Sequence, residues 1–233
     1  VMAVMAVMAV LVLATAGPIL AQPAVSIGDG TMNFGRVYQK QTVTHHFWVR
    51  ATGSDTVHIT EIYPGCGCTE IPLEDSTIAP GDSIPLGIIF RTQLFKSSVK
   101  KNPLIYTNVT DYPVELEIQA YVMVEGQGTG PLEVIPEFVD VSQFGEKTRR
   151  VGKFLVVNKT DQDYRLEVVD SSLKSFEVKL PDEIKAGETI EGKVRVFEDR
   201  VQTEFRESLT FRAVGIKDGV YSVPILRMYR PES

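Results

Sequence analysis

The sequence predicts an all-β protein built from two tandem sandwich domains. Three observations support this class: short segments alternate apolar and polar residues, turn signals separate these segments, and the pattern returns about 107 residues later. No segment of useful length shows the i, i+3, i+4 spacing of an amphipathic helix. The length of 233 residues fits two sandwich domains of about 100 residues each.

The segment 42–50 is the clearest predicted strand. Val43, His45, Phe47 and Val49 share one face, and the intervening residues share the other. Such a period of two predicts a strand with one buried face. Similar strands are predicted at 57–62, 84–90, 99–106 and 114–122, with turn residues between them.

The second half of the chain repeats the first. Phe154 lies 107 residues after Phe47, and Gly187 lies 106 residues after Gly81, each within a matching stretch. A weak internal repeat of this length indicates a duplicated domain.

Glycine and proline mark the join between the two copies. Three glycines and Pro131 fall within residues 126–131, a composition typical of a linker. We therefore predict a domain over residues 25–125, a linker over 126–131 that acts as a hinge, and a second domain over 132–231.

The first 22 residues differ from the rest of the chain. Residues 1–16 are apolar or small and uncharged, and Pro18 then interrupts them. This length is short for a membrane span and predicts a signal peptide over residues 1–22, with cleavage near Ala21 or Ala24. No Lys or Arg precedes the apolar stretch, and the alternative is a retained membrane anchor. A cleaved signal predicts an exported protein in the periplasm, in the cell envelope or outside the cell.

Charge and motifs narrow the function classes. The formal net charge of −6 and the lack of clustered Lys and Arg argue against nucleic acid as a partner. The sequence has no nucleophile elbow, phosphate loop, dinucleotide fingerprint or His-Glu-x-x-His motif. We predict a protein that is not an enzyme and whose partners are other proteins or cell-envelope components. Membrane contact is expected only through an uncleaved signal segment.

Five short motifs occur in order in the first predicted domain. They are Phe34-Gly35-Arg36-Val37, Val43-Thr44-His45-His46-Phe47, Ile59-Thr60-Glu61-Ile62, Cys66-Gly67-Cys68-Thr69 and Ala79-Pro80-Gly81-Asp82. Over about residues 31–123 the chain resembles the exported bacterial family called domain of unknown function 1573. The resemblance implies an immunoglobulin-like fold, and the family has no established biochemical role.

The first domain departs from the family pattern in one place, and the second copy lacks the cysteine pair. The family usually has Asn-x-Gly after the first core strand, where this chain has Ala51-Thr52-Gly53, although the second copy keeps Asn158. The second copy also has Leu173 and Ser175 in place of the cysteine pair. Any chemistry of the cysteines therefore belongs to the first domain.

Cys66 and Cys68 form the candidate site. In an extended strand their Cα atoms would be roughly 6.6 Å apart, near the upper end of the range of about 4.4–6.8 Å for a disulfide. Three alternatives are open: a small-loop disulfide, two thiolates that bind a soft ion such as Cu(I) or Zn, and two reduced cysteines packed as small apolar residues. No other cofactor is predicted.

The histidines extend the metal alternative. His58 lies eight residues before Cys66 on the neighbouring predicted strand and could complete a metal site with Cys66 and Cys68. Zinc motifs usually supply two spaced pairs of ligands, whereas this sequence has one tight pair. His45 and His46 face opposite sides of their strand, and His45 is predicted to be a hydrogen-bonded core residue.

Two functions from different classes remain open. The first is a non-enzymatic binding or scaffold module that acts through the protein–protein contacts of its sandwiches. The alternative is a thiol-redox or copper-handling protein that uses Cys66 and Cys68. Trp48 is predicted to cover the outer face of its sheet or to pack against the second domain or a partner.

Overall fold

The computed structural model of this protein describes residues 22–126, 130–170 and 175–230. The predicted signal peptide, except Gln22, lies outside the described residues, as do residues 127–129 of the predicted linker and Leu173. Within the described ranges, no helix has the length and apolar character needed to cross a membrane.

Short strands make up nearly all of the regular structure. In the first half they are β1 (Val25–Ser26), β2 (Thr31–Tyr38), β3 (Thr42–Ala51), β4 (Val57–Tyr63), β5 (Thr69–Glu70), β6 (Thr77–Ile78), β7 (Ser83–Arg91), β8 (Ser97–Lys101), β9 (Leu104–Thr107), β10 (Thr110–Glu115) and β11 (Glu117–Met123). In the second half they are β12 (Leu132–Ile135), β13 (Val139–Asp140), β14 (Gln143–Phe144), β15 (Val151–Asn158), β16 (Tyr164–Val168), β17 (Phe176–Lys179), β18 (Glu183–Ile184), β19 (Thr189–Val196), β20 (Phe205–Ala213), β21 (Val220–Arg227) and β22 (Tyr229–Arg230), with a 3-10 turn at Glu198–Arg200.

Each half forms a sandwich with its own core. In the first half, a sheet of order β1-β3-β7-β5 faces the strands β10-β9-β4-β6 and β2-β11-β8. In the second half, the sheet β12-β15-β19-β17 faces β18-β16-β20-β21. Phe34 and Phe90 are buried in the first core, and Phe154 and Phe211 are buried in the second. The structure confirms the predicted class of two tandem immunoglobulin-like β-sandwich domains.

The duplication is visible in the hydrogen bonds as well as in the strand order. In the first domain the amide of Arg91 donates to the carbonyl of Cys68 (2.8 Å), and in the second the amide of Phe197 donates to the carbonyl of Ser175 (3.0 Å). The donors are 106 residues apart and the acceptors are 107 residues apart, as the sequence repeat requires. The second sandwich therefore keeps this backbone hydrogen bond with Ser175 at the position of Cys68.

Asn158 organises the turn that follows β15 in the second domain. It is buried, and its side-chain amide donates to the carbonyls of Gln162 (2.7 Å) and Lys185 (2.9 Å). Its side-chain oxygen accepts from the amide and from the hydroxyl of Thr160. Because the whole hydrogen-bonding capacity of the side chain is used, this one residue holds the turn in place.

The first domain closes the equivalent turn with backbone groups. Ala51 stands where the second domain has its asparagine. The amides of Thr52 and Gly53 donate to the carbonyl of Ala24 (2.8 and 3.4 Å). A Cβ on Gly53 would lie 2.2 Å from the carbonyl oxygen of Gln22, so the approach of this segment requires glycine. The departure from the Asn-x-Gly pattern is thus compensated by the chain around β1.

The two sandwiches share a continuous sheet. Strand β2 lies between β11, the last strand of the first domain, and β21 of the second domain, and it is parallel to both. The hydroxyl of Ser222 donates to the carbonyl of Phe34 (2.7 Å) in a buried position. Gly35 permits this approach, because its φ is +60° and a Cβ there would lie 2.0 Å from the carbonyl oxygen of Val220.

A second buried contact joins β3 to β20. The amide of Thr44 donates to the hydroxyl of Ser208 (2.9 Å), the amide of Ser208 donates to the hydroxyl of Thr44 (3.1 Å), and the Ser208 hydroxyl donates to the Thr44 carbonyl (3.1 Å). Buried polar groups that are paired favour one arrangement, because other packings would leave them unsatisfied. These buried contacts hold the two sandwiches against each other. The hinge that the glycine-rich segment predicted is therefore not compatible with the contacts, and the two sandwiches are docked.

We expect Gly35→Ala to undock the two sandwiches. A side chain at this φ costs about 1–2 kcal/mol, and the overlap with Val220 forces the backbones apart. Gly81→Ala is the matched control, because Gly81 has a φ of +84° and open space around its Cα. Calorimetry should show one unfolding transition for the wild type and for Gly81→Ala, but two for Gly35→Ala. One equally cooperative transition in both variants would contradict the role assigned to Gly35.

We expect Asn158→Ala to lower the free energy of unfolding by about 2–3 kcal/mol, because it leaves buried carbonyl and amide groups without partners. Asn108→Ala is the control. Asn108 also makes two side-chain hydrogen bonds, with the amide of His58 and the carbonyl of Thr56, but it is exposed. Urea unfolding should show a loss below about 1 kcal/mol for this control, and equal losses would rule out burial as the cause.

Candidate functional site

The cysteine-bearing loop connects β4 to β5. Gly65 has a positive φ of 82°, which turns the chain before Cys66. The sulfur atoms of Cys66 and Cys68 are bonded, and the two Cα atoms are 5.2 Å apart. The turn shortens the roughly 6.6 Å separation of an extended strand to a distance well within the disulfide range.

The two sulfur atoms have different surroundings. Cys68 is 3% exposed and belongs to the first core, whereas Cys66 is partly exposed and packs against the edge of that core. The amide of Cys68 donates to Sγ of Cys66 (3.2 Å). Oγ1 of Thr69 lies 3.5 Å from Sγ of Cys66 and 3.9 Å from Sγ of Cys68. The carbonyl of Cys68 accepts from the amide of Arg91, which fixes the buried cysteine to β7.

His58 is remote from the cysteines. It lies at the start of β4, whereas Cys66 follows the end of that strand, and the strand between them spans roughly 16 Å. Nδ1 of His58 is 3.3 Å from the hydroxyl of Thr77. In the described ranges, no group of three His, Cys, Asp or Glu side chains is placed to hold a metal ion. The structure therefore does not assemble the three-ligand arrangement of Cys66, Cys68 and His58.

His45 contacts the second domain. Its Nδ1 lies 3.2 Å from Oδ2 of the buried Asp170, and its ring packs edge-on against Phe47 with the ring centres 4.7 Å apart. The side chain is partly exposed. The expectation of a hydrogen-bonded core histidine thus holds only in part, because the side chain is partly exposed and Nδ1 lies near Asp170 of the other sandwich without a hydrogen bond.

The domain junction also contains a buried tyrosine. The hydroxyl of Tyr221 accepts from the amide of Leu132 (3.1 Å), and burial raises the pKa of this phenol above its usual value of roughly 10. A different tyrosine of the junction region, Tyr121 on β11, has the guanidinium of Arg36 on β2 above its ring, 4.7 Å from the ring centre. Tyr221 is therefore neutral at ordinary pH and serves as a hydrogen-bonding group of the junction.

Trp48 lies on the outer face of β3 and β7, with the exposed Arg50 two residues further along the same face of β3. Trp48 is 58% exposed and lies opposite Pro85. The next outward pair is His46 and Gly87. A Cβ on Gly87 would lie 3.6 Å from Nε2 of His46 and 3.7 Å from Cγ of Pro72, so these residues are contiguous. We call Trp48, Pro85, His46, Gly87 and Pro72 the Trp48 face.

The Trp48 face was not expected from the sequence as a unit. The alternation of β3 places Trp48 on the polar side, but its neighbours come from β7 and from the chain after β5. One sequence feature could have indicated this surface: Pro85 and Gly87 lie on the outer side of a predicted strand, and strands usually avoid both residue types.

Residues 25–122 match the family described as Protein of unknown function (DUF1573). This match confirms the resemblance that the five motifs of the first domain predict. A comparison with curated proteins gives no significant match.

Solved structures that resemble the chain have low identity to it. A protein of unknown function from Porphyromonas gingivalis W83 is 7% identical, with 87% of this chain and 98% of that chain covered and a TM-score of 0.35. The D00-D0 domain of Intimin is 7% identical, with 88% and 99% covered and a TM-score of 0.29. The VesB protease of Vibrio cholerae is 8% identical, with 43% and 31% covered and a TM-score of 0.33. The chain thus spans about a third of the protease's length.

We expect Cys66→Ser combined with Cys68→Ala to leave the first domain folded. A bridge across one residue contributes only about 1.5 kcal/mol by the loop-entropy relation, against about 3 kcal/mol for a loop of 15 residues. The melting temperature should therefore fall by a few degrees. Reduction of the wild type, which removes the bridge without changing a side chain, is the control and should give a similar or smaller fall. An unfolded double variant would show that the pair is structural.

Proposed function

We propose that this chain, whose first domain matches the DUF1573 family, is a non-enzymatic binding or scaffold protein of the cell envelope. In this proposal the Trp48 face holds another protein, and the docked second domain fixes the direction in which that face is presented.

The exposure of Trp48 is the observation that carries the proposal. Burying a large apolar side chain stabilises the buried state by about 1.5–3 kcal/mol relative to leaving the side chain in water. The isolated chain does not have this stabilisation for Trp48. Exposed aromatic residues on surfaces with few charges supply much of the binding energy of protein interfaces. A partner that covers Trp48, Pro85 and Gly87 meets an apolar surface, with the charged side chain of Arg50 at its border.

The equivalent surface of the second domain is different. Leu155 stands at the position of Trp48, and its neighbours are Lys153, Glu191 and Lys193. Nζ of Lys153 and Nζ of Lys193 lie 3.0 and 3.1 Å from the carboxylate of Glu191. The duplicated fold therefore does not require Trp, Pro and Gly at these positions, and their presence in the first domain supports a specific role there.

The docked arrangement supports the same role. Ordering of surface groups and domains on association costs free energy, and a preorganised surface avoids part of that cost. Buried hydrogen bonds between Thr44 and Ser208 lie near the start of β3, the strand that also carries Trp48. The second domain thus braces the strand that presents the proposed contact.

Location in the periplasm or outside the cell fits this proposal. Disulfides persist in oxidising compartments and are rare in the cytosol, so the bond between Cys66 and Cys68 supports export. The partner class we propose is an envelope or extracellular protein and not a nucleic acid, because the chain has a formal net charge of −6 and the surface around Trp48 has no cluster of Lys and Arg to neutralise phosphates.

We expect Trp48→Ala to remove partner binding while the protein stays folded, with a change in stability below about 1 kcal/mol. Tyr112→Ala is the matched control, because Tyr112 is an 81% exposed aromatic residue of the same domain. Crosslinking in native envelope fractions, followed by mass spectrometry, should find one protein bound by the wild type and by Tyr112→Ala but not by Trp48→Ala. Equal recovery with Trp48→Ala would place the contact elsewhere and contradict the proposal.

A further inference from the structure

We infer that the Cys66–Cys68 disulfide is a reversible thiol–disulfide exchange site, in which Cys66 exchanges with an external dithiol and Cys68 is the resolving sulfur. This activity goes beyond the proposed binding role, which makes no use of the bridge.

The bridge contributes little to holding the fold together. Both cysteines lie in the segment between β4 and β5, so the bond ties no two strands or sheets to each other. In the second domain Ser175 occupies the position of Cys68 and still accepts the same backbone hydrogen bond, from Phe197. The sandwich therefore persists without the pair, and what the pair adds is the chemistry of sulfur.

The surroundings of the two sulfur atoms favour attack at Cys66. Cys66 is partly exposed and stands between Gly65 and Gly67. A Cβ on Gly67 would meet no atom within 4 Å, and a Cβ on Gly65 would meet only the backbone of Asn102, with its oxygen at 3.6 Å. Cys68 is buried and held to β7 through its carbonyl. Cys66 is therefore the more accessible of the two cysteines to an incoming chain.

The same loop supplies donors that stabilise a thiolate on Cys66. The amide of Cys68 points at Sγ of Cys66 at 3.2 Å, and the hydroxyl of Thr69 lies 3.5 Å from the same atom. Hydrogen bonds to the charged form favour that form, and the thiolate is the reactive species in exchange. Cys66 thus has both the access and the donors that a nucleophilic cysteine needs.

The exchange balances without any other reactant. A thiolate of the external dithiol attacks Sγ of Cys66, a mixed disulfide forms, and the Cys66–Cys68 bond breaks with its electron pair left on Cys68, which takes up a proton. The second thiolate of the reductant then attacks its own sulfur in the mixed disulfide and expels Cys66 as a thiolate, which is protonated in turn. Two electrons and two protons pass from the dithiol to the protein, which leaves the reagent as a disulfide. In the reverse sequence the Cys66 thiolate attacks that disulfide, Cys68 resolves the mixed disulfide, and the reagent is reduced to two thiols while the bridge re-forms.

Redox titration of the full chain tests reversibility. The protein is equilibrated in glutathione buffers of varied ratio, quenched with acid and alkylated, and the oxidised fraction is read by mass spectrometry. We expect one reversible two-electron transition within the range of these buffers, with unchanged circular dichroism. A bridge that stays oxidised in excess dithiothreitol until denaturant is added would overturn the inference.

Two single variants test the assignment of roles. Cys68→Ala leaves Cys66 as the only thiol, and Cys66→Ala leaves Cys68. We expect the thiol in Cys68→Ala to react with 5,5′-dithiobis(2-nitrobenzoate) at least about tenfold faster than the thiol in Cys66→Ala. Both variants lose the bridge, so any effect of that loss on the fold is shared. Equal rates, or a faster Cys66→Ala, would overturn the assignment of Cys66.

The hydroxyl of Thr69 provides a finer readout. In the Cys68→Ala background, Thr69→Val should move the pH–rate profile of the remaining thiol to higher pH, and Thr69→Ser should restore it. An unchanged profile in Thr69→Val would remove Thr69 from the site. Trp48→Ala should leave every exchange measurement unchanged, so failure of the exchange site and failure of the binding proposal can be told apart.

Discussion

The close approach of β2 to β21 at Gly35 is the constraint on which the rest of the structure depends. The carbonyl of Val220 occupies the space that any side chain at this position would need. Because β2 is also a strand of the first sandwich, the junction is part of both domains and not a contact between two finished surfaces. The hydrogen bond from Ser222 to the carbonyl of Phe34 then satisfies a polar group that this approach buries.

The junction has consequences for the surface of the first domain. Strand β3 is held at its start by the paired groups of Thr44 and Ser208 and by the contact of His45 with Asp170. His46 and Trp48 follow on the outer face of the same strand. These contacts therefore fix the position of the strand that carries them. A surface of this kind keeps its shape in the unbound protein, which is what a scaffold requires.

The duplicated domain serves as an internal comparison for the chemistry of the first. The two copies share strand order and backbone hydrogen bonds, but the second has Ser175 in the cysteine segment and charged residues around Leu155. The fold alone therefore explains neither the cysteine pair nor the apolar residues around Trp48. Both features lie on the sheet β1-β3-β7-β5 or at its edge, so the first domain concentrates its distinctive residues on one side.

The sequence by itself determined the features that depend on neighbouring residues. A period of two in segments such as β3 predicts a half-buried strand, and the repeat at 106–107 residues predicts two copies of one fold, because burial of one strand face leaves a local pattern. The pairing of Cys66 with Cys68 was among the open alternatives for the same reason: a separation of two residues keeps the two Cα atoms within about 7 Å.

The tertiary structure alone decided how distant segments meet. Thr44 and Ser208 are 164 residues apart, and nothing in either segment indicates the other. The glycine-rich linker suggested a hinge because composition reports local flexibility, whereas rigidity between domains comes from contacts such as that of Gly35 with Val220. The Trp48 face also needed the structure, because cross-strand neighbours are set by sheet register and not by position along the chain.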